Sequence, residues 1–160
     1  MKMPFDSKEA AQLNKEIFAC MYYYAMEESI LLAKEKGAYE TYEGSPLSKG
    51  LFQFDLWDTK PIESLSDGTI LNWEELRKKV KQFGARNSLL LAPMPTASTS
   101  QILGNTECFE PLTSNLFTRR TLAGDFIVIN KYLLRDLTKM NLWNEEMKNE
   151  LIRKENNGSV

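Results

Sequence analysis

A single helical pattern runs from Asp6 to Gly37 and is long for a chain of 160 residues. Asp6 and Glu9 have the Asp-x-x-Glu spacing of a capping box, and Gly37 is typical of a left-handed C-terminal cap. The helix should be about 45 Å long, whereas a free-standing globule of this size is only about 35 to 40 Å across. We therefore expect the helix to belong to a larger host structure.

Apolar residues recur along this helix at intervals of three, four and seven, which predicts one buried face. That face comprises Leu13, Ile17, Cys20, Tyr24 and Leu31. Cys20 is accordingly expected in the core, where a thiol acts as a small hydrophobic group. Of the three consecutive tyrosines at positions 22–24, one should pack inward and two should lie nearer the surface, because consecutive helical residues point to different faces.

Composition excludes several kinds of catalytic chemistry and partner. The chain has no histidine, which removes Ser-His-Asp and Cys-His catalysis together with histidine-ligated zinc. Its two cysteines, Cys20 and Cys108, have no metal-site spacing and indicate a reduced, cytoplasmic protein. A net charge of −2 gives no bulk attraction to nucleic acid or to an anionic membrane, and the apolar runs are far too short to span a bilayer.

The rest of the chain alternates between helical and short apolar patterns. Asn72 and Glu75 begin a helix that ends at Gly84, with Leu76, Val80 and Phe83 on one face. The apolar runs at 88–92 and 126–129 predict short strands buried on both faces of a parallel sheet. Helix, loop and buried strand together indicate the α/β class.

Three more helices and one irregular segment complete the predicted elements. Short helices are expected over 99–103 and after Asn130, and a last one after Asn144 with Met147, Leu151 and Ile152 inward, before a polar tail over 155–160. Residues 38–70 have no sustained period and should wrap over a neighbouring surface.

Residues 93–101, Pro-Met-Pro-Thr-Ala-Ser-Thr-Ser-Gln, are the most informative for function. They leave the carboxyl end of a predicted strand and enter a helix, where free backbone N–H groups and the hydroxyls of Thr96, Ser98 and Thr99 could hold a phosphate. The alternative interpretation is that Ser98 or Thr99 merely caps the helix. Ligands at strand carboxyl ends are common in α/β folds, but the pattern alone leaves both interpretations open.

Two basic stretches also have two interpretations each. Residues 77–81, Arg-Lys-Lys-Val-Lys, predict a solvated helix face or, alternatively, a patch for phosphate or a partner. Arg119 and Arg120 could pair with a carboxylate, or one guanidinium could reach a substrate.

Residues 93–105 resemble the substrate-phosphate loop in the large subunit of class I ribonucleoside-diphosphate reductases of the eukaryotic and viral type. The resemblance extends in collinear order over essentially the whole chain. The other similar stretches are 39–46 with 48–50, 86–90, 117–120 and 142–149.

The resemblance implies an α/β fold, specifically a partial segment from the C-terminal half of a ten-stranded α/β barrel, with long helices and short buried strands. Residues 1–160 would form a single segment of that barrel domain, truncated at both ends. The family's diphosphate-binding loop carries over onto Thr96, Ala97, Ser98 and Thr99.

In function, the resemblance implies a fragment that contributes this loop to the reduction of ribonucleoside diphosphates to deoxyribonucleoside diphosphates for DNA synthesis. The family's radical and redox cysteines lie outside the matching segment, and Cys108 falls where the family has no redox cysteine, so the chain alone should be inactive. No cofactor is implied for this segment itself, but the family requires a radical-generating small subunit and a dithiol reductant.

The implied partners are a ribonucleoside diphosphate, the remaining parts of the large subunit and the small radical subunit, with no direct contact with nucleic acid or membrane. The alternative is a catalytically dead module that binds nucleotide or engages a reductase subunit.

Overall fold

Residues 3–112 and 114–153 are described by a computed structural model of the chain. Its helices are α1 (Lys8–Lys36), α2 (Gln53–Leu56), α3 (Trp73–Phe83), α4 (Thr99–Leu103), α5 (Lys131–Lys139) and α6 (Glu145–Arg153). A 3-10 turn spans Leu47–Lys49, and two strands, β1 (Leu116–Thr121) and β2 (Gly124–Ile129), form a hairpin. The chain divides into two compact units, Met1–Met94 and Pro95–Val160.

The long helix α1 forms as predicted, with a shift of one residue at its cap. Ser7 is the N-cap, and its Oγ accepts the N–H of Ala10 at 3.1 Å, so the expected cap at Asp6 is wrong. At the other end Gly37 adopts φ +80° and donates its N–H to the carbonyl of Ala33. No helix in the described part of the chain is long and apolar enough to cross a membrane.

The buried face of α1 is not the predicted one. Tyr23, Met26, Ser29, Ile30 and Ala33 are buried. The expected face is largely in solvent, because Ile17, Tyr24 and Leu31 are exposed and Leu13 and Cys20 are only half-buried. Apolar residues occur on two sides of this helix, and periodicity alone does not identify the side that the first unit covers. The tyrosines do divide as expected, with one inward.

The core of the first unit forms where α1 packs against α3. Asn72 caps α3 as predicted, its Oδ1 accepting the N–H of Glu75 at 3.0 Å, and Leu76 and Val80 are fully buried. Residues 38–71 wrap over this helix pair, as expected, and contribute further core side chains. These are Tyr42, Leu47, Phe52 and Leu71.

The residues that follow α3 are hydrogen-bonded to Ser29 of α1. Gly84 adopts φ +77°, and a Cβ there would lie 2.7 Å from the Cβ of Ala38. The carbonyl of Ser29 accepts the N–H of Arg86, while its Oγ accepts the N–H of Asn87 and donates to Asn87 Oδ1. The position of residues 84–87 is therefore set by α1.

The two predicted strands differ from expectation. Residues 88–92 form no strand in the described structure, and Leu89 is 87% exposed, because a strand buried on both faces needs flanking strands that the described residues do not supply. Residues 126–129 lie in β2, which pairs antiparallel with β1, and Ile127 is 72% exposed rather than buried. The two strands of the described residues form no closed barrel.

The last two helices begin at the predicted caps. Asn130 accepts the N–H groups of Tyr132 and Leu133, and Asn144 accepts that of Met147. Leu137 of α5 and Leu151 of α6 are buried, and Met147 is half-buried. Ile152 is exposed, so its predicted inward position is wrong. The predicted polar tail over 155–160 lies outside the described residues.

Candidate functional site

The loop over 95–98 leads directly into α4, which begins at Thr99 and ends at Gly104 as predicted. Ser98 occupies the N-cap position, but it has helical backbone angles, φ −92° and ψ −47°, and its side chain makes no capping hydrogen bond. Thr99 is already the first helical residue. The capping interpretation of these two hydroxyls therefore has no support in the geometry.

Three consecutive residues of this loop present donors to solvent. Among the described residues, the N–H groups of Ala97, Ser98 and Thr99 have no hydrogen-bond acceptor, and neither do the hydroxyls of Ser98 and Thr99. All three residues are exposed. Backbone N–H groups and hydroxyls are the neutral donors that bind phosphate oxygens in proteins. This turn can therefore accept an anion without first breaking an internal bond.

Thr96 faces the opposite way from its three neighbours. Its N–H donates to the carbonyl oxygen of Glu107 at 2.9 Å, and its hydroxyl donates to the same oxygen at 3.1 Å. The carbonyl of Thr96 accepts the N–H of Ser100 at 2.8 Å. The structure thus brings Ala97, Ser98 and Thr99 together on one exposed turn and places Thr96 on the loop's inner side.

The carboxyl end of α4 is held by a residue from another helix. Gly104 takes a left-handed conformation, φ +66°, and donates its N–H to the carbonyl of Ser100. Ser100 is buried, with 2% of the residue exposed. Lys131 of α5 donates from Nζ to the carbonyl of Leu103 at 2.8 Å. A lysine at this position satisfies a terminal carbonyl and complements the negative end of the helix.

Two of the four basic residues over 77–81 contact carboxylates, and Lys78 and Lys81 are exposed, which agrees with the interpretation as a helix face. Arg77 pairs with Asp55 at 2.7 Å, and Lys79 lies 3.7 Å from Glu27. The hydrogen bond from Arg77 lowers the pKa of the Asp55 carboxyl, and that bond raises the pKa of the guanidinium in turn.

The two arginines of β1 have different surroundings. Arg120 lies 3.7 Å from Asp125 across the hairpin, and both side chains are largely exposed. Arg119 is half-buried opposite Phe126 and forms no ion pair with any described residue. The carboxylate interpretation therefore holds for Arg120.

Neither cysteine has a neighbour set typical of a metal site. Cys20 is half-buried on α1 and Cys108 is exposed in the loop after α4. Within residues 3–112 and 114–153, no group of three or more histidine, cysteine, aspartate or glutamate residues could hold a metal ion.

Sequence patterns did not identify the residues that support the loop. Glu107 acts through its main-chain carbonyl, which no side-chain motif encodes. Lys131 lies 28 residues from the carbonyl that it binds, too far for local spacing rules. Gln101, whose Nε2 donates to Glu107 Oε1 at 3.3 Å, belongs to the resembling stretch, but nothing in that stretch indicates its partner.

Comparison with known proteins agrees with the resemblance of residues 93–105. The model of the ribonucleotide reductase barrel domain matches residues 1–160. The chain is 56% identical over 158 residues to the ribonucleoside-diphosphate reductase large subunit of Arabidopsis thaliana, covering 99% of this chain and 18% of that protein.

Two further relatives show the same coverage. The chain is 54% identical over 160 residues to the large subunit of Caenorhabditis elegans, and 52% identical over 160 residues to large chain 2 of Saccharomyces cerevisiae. Both alignments include the whole chain and 19% or 18% of the relative, respectively. The chain thus spans less than a fifth of the length of these relatives. A match that extends from the first residue to the last shows that this chain belongs to the ribonucleotide reductase barrel-domain family.

Proposed function

We propose that the chain is a segment of a ribonucleoside-diphosphate reductase large subunit in which residues 96–99 hold the diphosphate of the substrate. The three exposed, unoccupied N–H groups of Ala97, Ser98 and Thr99, together with two hydroxyls, carry this proposal. The large subunits to which the chain is 52–56% identical are named for ribonucleoside diphosphates, which supply a ligand of matching chemistry.

Such a loop recognises phosphate without reading the base. Backbone N–H groups and hydroxyls donate to phosphate oxygens, which are the same in all four ribonucleoside diphosphates. Hydrogen bonds to a charged acceptor are stronger than those to a neutral one, so a few donors suffice to bind the group. The loop therefore contributes binding and orientation of the substrate, and base selection falls to other residues of the subunit.

In the same proposal, residues 1–160 form one segment of a ten-stranded α/β barrel whose other strands come from the rest of the subunit. The apolar run at 88–92 supports this because its residues 88–91 line an open, largely apolar groove of about 960 Å³ in the first unit. Side chains of Tyr22, Phe54 and Trp73 line the same groove. Flanking strands would cover Leu89, which is now 87% exposed.

Reduction would require parts that this chain does not supply. We propose that the remaining large subunit, a small radical-generating subunit and a dithiol reductant provide the radical and redox chemistry. The product would be a deoxyribonucleoside diphosphate for DNA synthesis. Within that assembly the chain's own contribution is the diphosphate loop.

Replacement of Ser98 by alanine in the full large subunit tests the loop. The Ser98→Ala variant loses one hydroxyl donor to a charged acceptor, worth ~1.5 to 3 kcal/mol, or roughly a tenfold to hundredfold loss of affinity. Dissociation constants should be measured for the diphosphates of cytidine, uridine, adenosine and guanosine. We expect similar losses for all four.

Thr138→Ala is the matched control, because it removes another exposed hydroxyl, bonded only to the Leu134 carbonyl of its own helix. Its affinities should equal those of the native protein. A loss with one base only, or no loss with any diphosphate, would show that Ser98 does not contact phosphate.

A further inference from the structure

The open groove of the first unit has cations in its lining but no carboxylate. Its described lining residues lie within 14–93 and are mostly apolar or aromatic. Lys15 and Lys60 are the only charged residues among them, although the chain as a whole has 22 acidic residues against 20 basic ones. Both lysines are exposed, and neither forms an ion pair with a described residue. The groove therefore offers positive charge without a negative partner.

One wall of the groove is main chain that lacks hydrogen-bond partners. Residues 88–92 belong to no helix or strand of the described structure, and their N–H and C=O groups form no hydrogen bond with any described residue. Their side chains alternate as in a strand, because Leu90 packs against the core while Leu89 is 87% exposed. Such an edge can pair with an extended segment through main-chain hydrogen bonds.

The length of the groove matches that of a short strand. On α1 its lining residues follow one face of the helix from Asn14 to Met26. This stretch of helix rises about 18 Å, which is the length of roughly five or six residues in a β-strand. Lys15 lies at the beginning of the stretch, so it is close to one end of such a segment rather than to its middle.

We infer that the groove binds an extended apolar segment of the remaining large subunit, and that this segment carries a carboxylate opposite Lys15, Lys60 or both. The inference rests on the proposed function, in which the rest of the subunit supplies the flanking strands, and it adds the chemistry of the segment that fills the groove. More than four fifths of such a subunit lies outside this chain. A lysine that is covered without a partner loses hydration, and a facing carboxylate offsets that cost.

Three synthetic peptides test this chemistry on the whole chain. Each has seven residues, with valine and threonine alternating in the middle, and the peptides differ only in carrying glutamate, glutamine or lysine at both ends. Trp57 and Trp73 line the groove, so the fluorescence of the dilute chain reports the binding of peptides that contain no aromatic residue. We expect the glutamate peptide to bind about threefold to tenfold more tightly than the glutamine peptide, and the lysine peptide to bind most weakly.

Variants of the two lysines locate the effect in the groove. Lys15→Gln combined with Lys60→Gln should abolish the preference for glutamate over glutamine and leave the affinity for the glutamine peptide unchanged. Lys78→Gln is the matched control, because Lys78 is exposed on α3 and does not line the groove, and it should keep the full preference. In the saturated complex, amide hydrogen exchange within 88–92 should slow about tenfold or more, because the peptide pairs with this edge.

The complete large subunit shows whether its own segment fills the groove. We expect no binding of the glutamate peptide to it, measured by the anisotropy of a fluorescein label on the peptide. Equal binding to the subunit and to the isolated chain would overturn the inference and the barrel proposal together. Equal affinities of the three peptides for the isolated chain, a preference that persists in the double lysine variant, or no binding by any peptide would overturn the inference alone. The diphosphate proposal would then still depend on Ser98→Ala.

Discussion

Replacement of Asp55 by asparagine should destabilise the first unit at neutral pH and have little effect in acid. The Asp55 carboxylate accepts hydrogen bonds from both terminal nitrogens of Arg77, at 2.7 and 3.2 Å, and from the N–H of Phe52 at 2.7 Å. Arg77 also donates to the carbonyl of Gly50, so this ion pair joins α3 to the segment that wraps over it. Both side chains are mostly buried, with 25% and 21% exposed.

The magnitude follows from these bonds. The Asp55→Asn variant keeps the shape, and its amide oxygen can still accept from Phe52 and from one nitrogen of Arg77, but its N–H₂ group then meets the other nitrogen of Arg77 and the ionic character is lost. Hydrogen bonds to charged groups contribute about 1.5 to 3 kcal/mol each in net terms. Since Arg77 retains Gly50 and the exposed Glu74 as partners, we expect a loss of about 2 kcal/mol at pH 7.

The loss of stability in Asp55→Asn should depend on pH. The pKa of Asp55 is lower in the folded protein than its ordinary value of 3.8, chiefly because Arg77 donates to the carboxylate. The stabilisation is therefore fully present above that ordinary value and is lost as the pH falls through the folded pKa. Since asparagine does not titrate, the native chain and Asp55→Asn should converge in stability as the solution becomes more acidic.

Urea unfolding, followed by far-ultraviolet circular dichroism at several pH values between 7 and 3, measures this difference. Glu74→Gln is the control, because Glu74 is 77% exposed and its pair with Arg77 should contribute less than about 1 kcal/mol. A difference between native and Asp55→Asn chains that stays constant down to pH 3 would refute the electrostatic argument. So would an equal loss in both variants at pH 7.

Three further predictions follow from the structure and the family. Gly84→Ala should cost about 1 to 3 kcal/mol in urea unfolding, because a Cβ at φ +77° would lie 2.7 Å from that of Ala38. Gly44→Ala, with φ +81° and open space around it, should cost less, and equal losses would contradict the contact argument. The isolated chain, assayed with a small radical subunit, dithiol and cytidine diphosphate, should give no turnover above a control without protein. The isolated chain should also self-associate, because the hairpin and the run at 88–92 expose apolar side chains, and light scattering measures this. A monomer with a sharp cooperative melt would argue instead for an independent domain.

Local side-chain signals predicted five of the six helices of the described residues, and the short α2 lies in the segment that was expected to be irregular. Asn72, Asn130 and Asn144 each satisfy N–H groups two or three residues ahead, so the information lies within one turn of chain. Even the error at the first cap is small, because Ser7 and Asp6 are both capping residues and only the geometry selects between them.

Non-local contacts account for the errors. Whether Ile17 or Met26 of α1 is buried depends on the elements that pack against the helix, above all α3, which lies far away in sequence. β1 was missed because its sequence, Leu-Phe-Thr-Arg-Arg-Thr, has no apolar run, although aromatic and β-branched residues followed by Gly124 are compatible with a hairpin.

The same division holds for the candidate site. The hydroxyl-rich loop and its entry into α4 could be predicted, because consecutive residues supply the donors. The orientation of Thr96 could not, because it depends on a main-chain carbonyl eleven residues away that carries no side-chain signature.

The hydroxyl of Ser29 sets how residues 84–87 are aligned along α1, and this effect is distinct from the strength of their packing. It is 2% exposed and binds both the N–H and the Oδ1 of Asn87. If the segment slid by one residue, the hydroxyl would meet Arg86 or Ser88, and the Arg86 side chain has no acceptor for it. A purely apolar side chain at position 29 would accept such sliding more readily. A small polar residue in the core therefore selects which residue lies beside α1 immediately before the apolar run at 88–92.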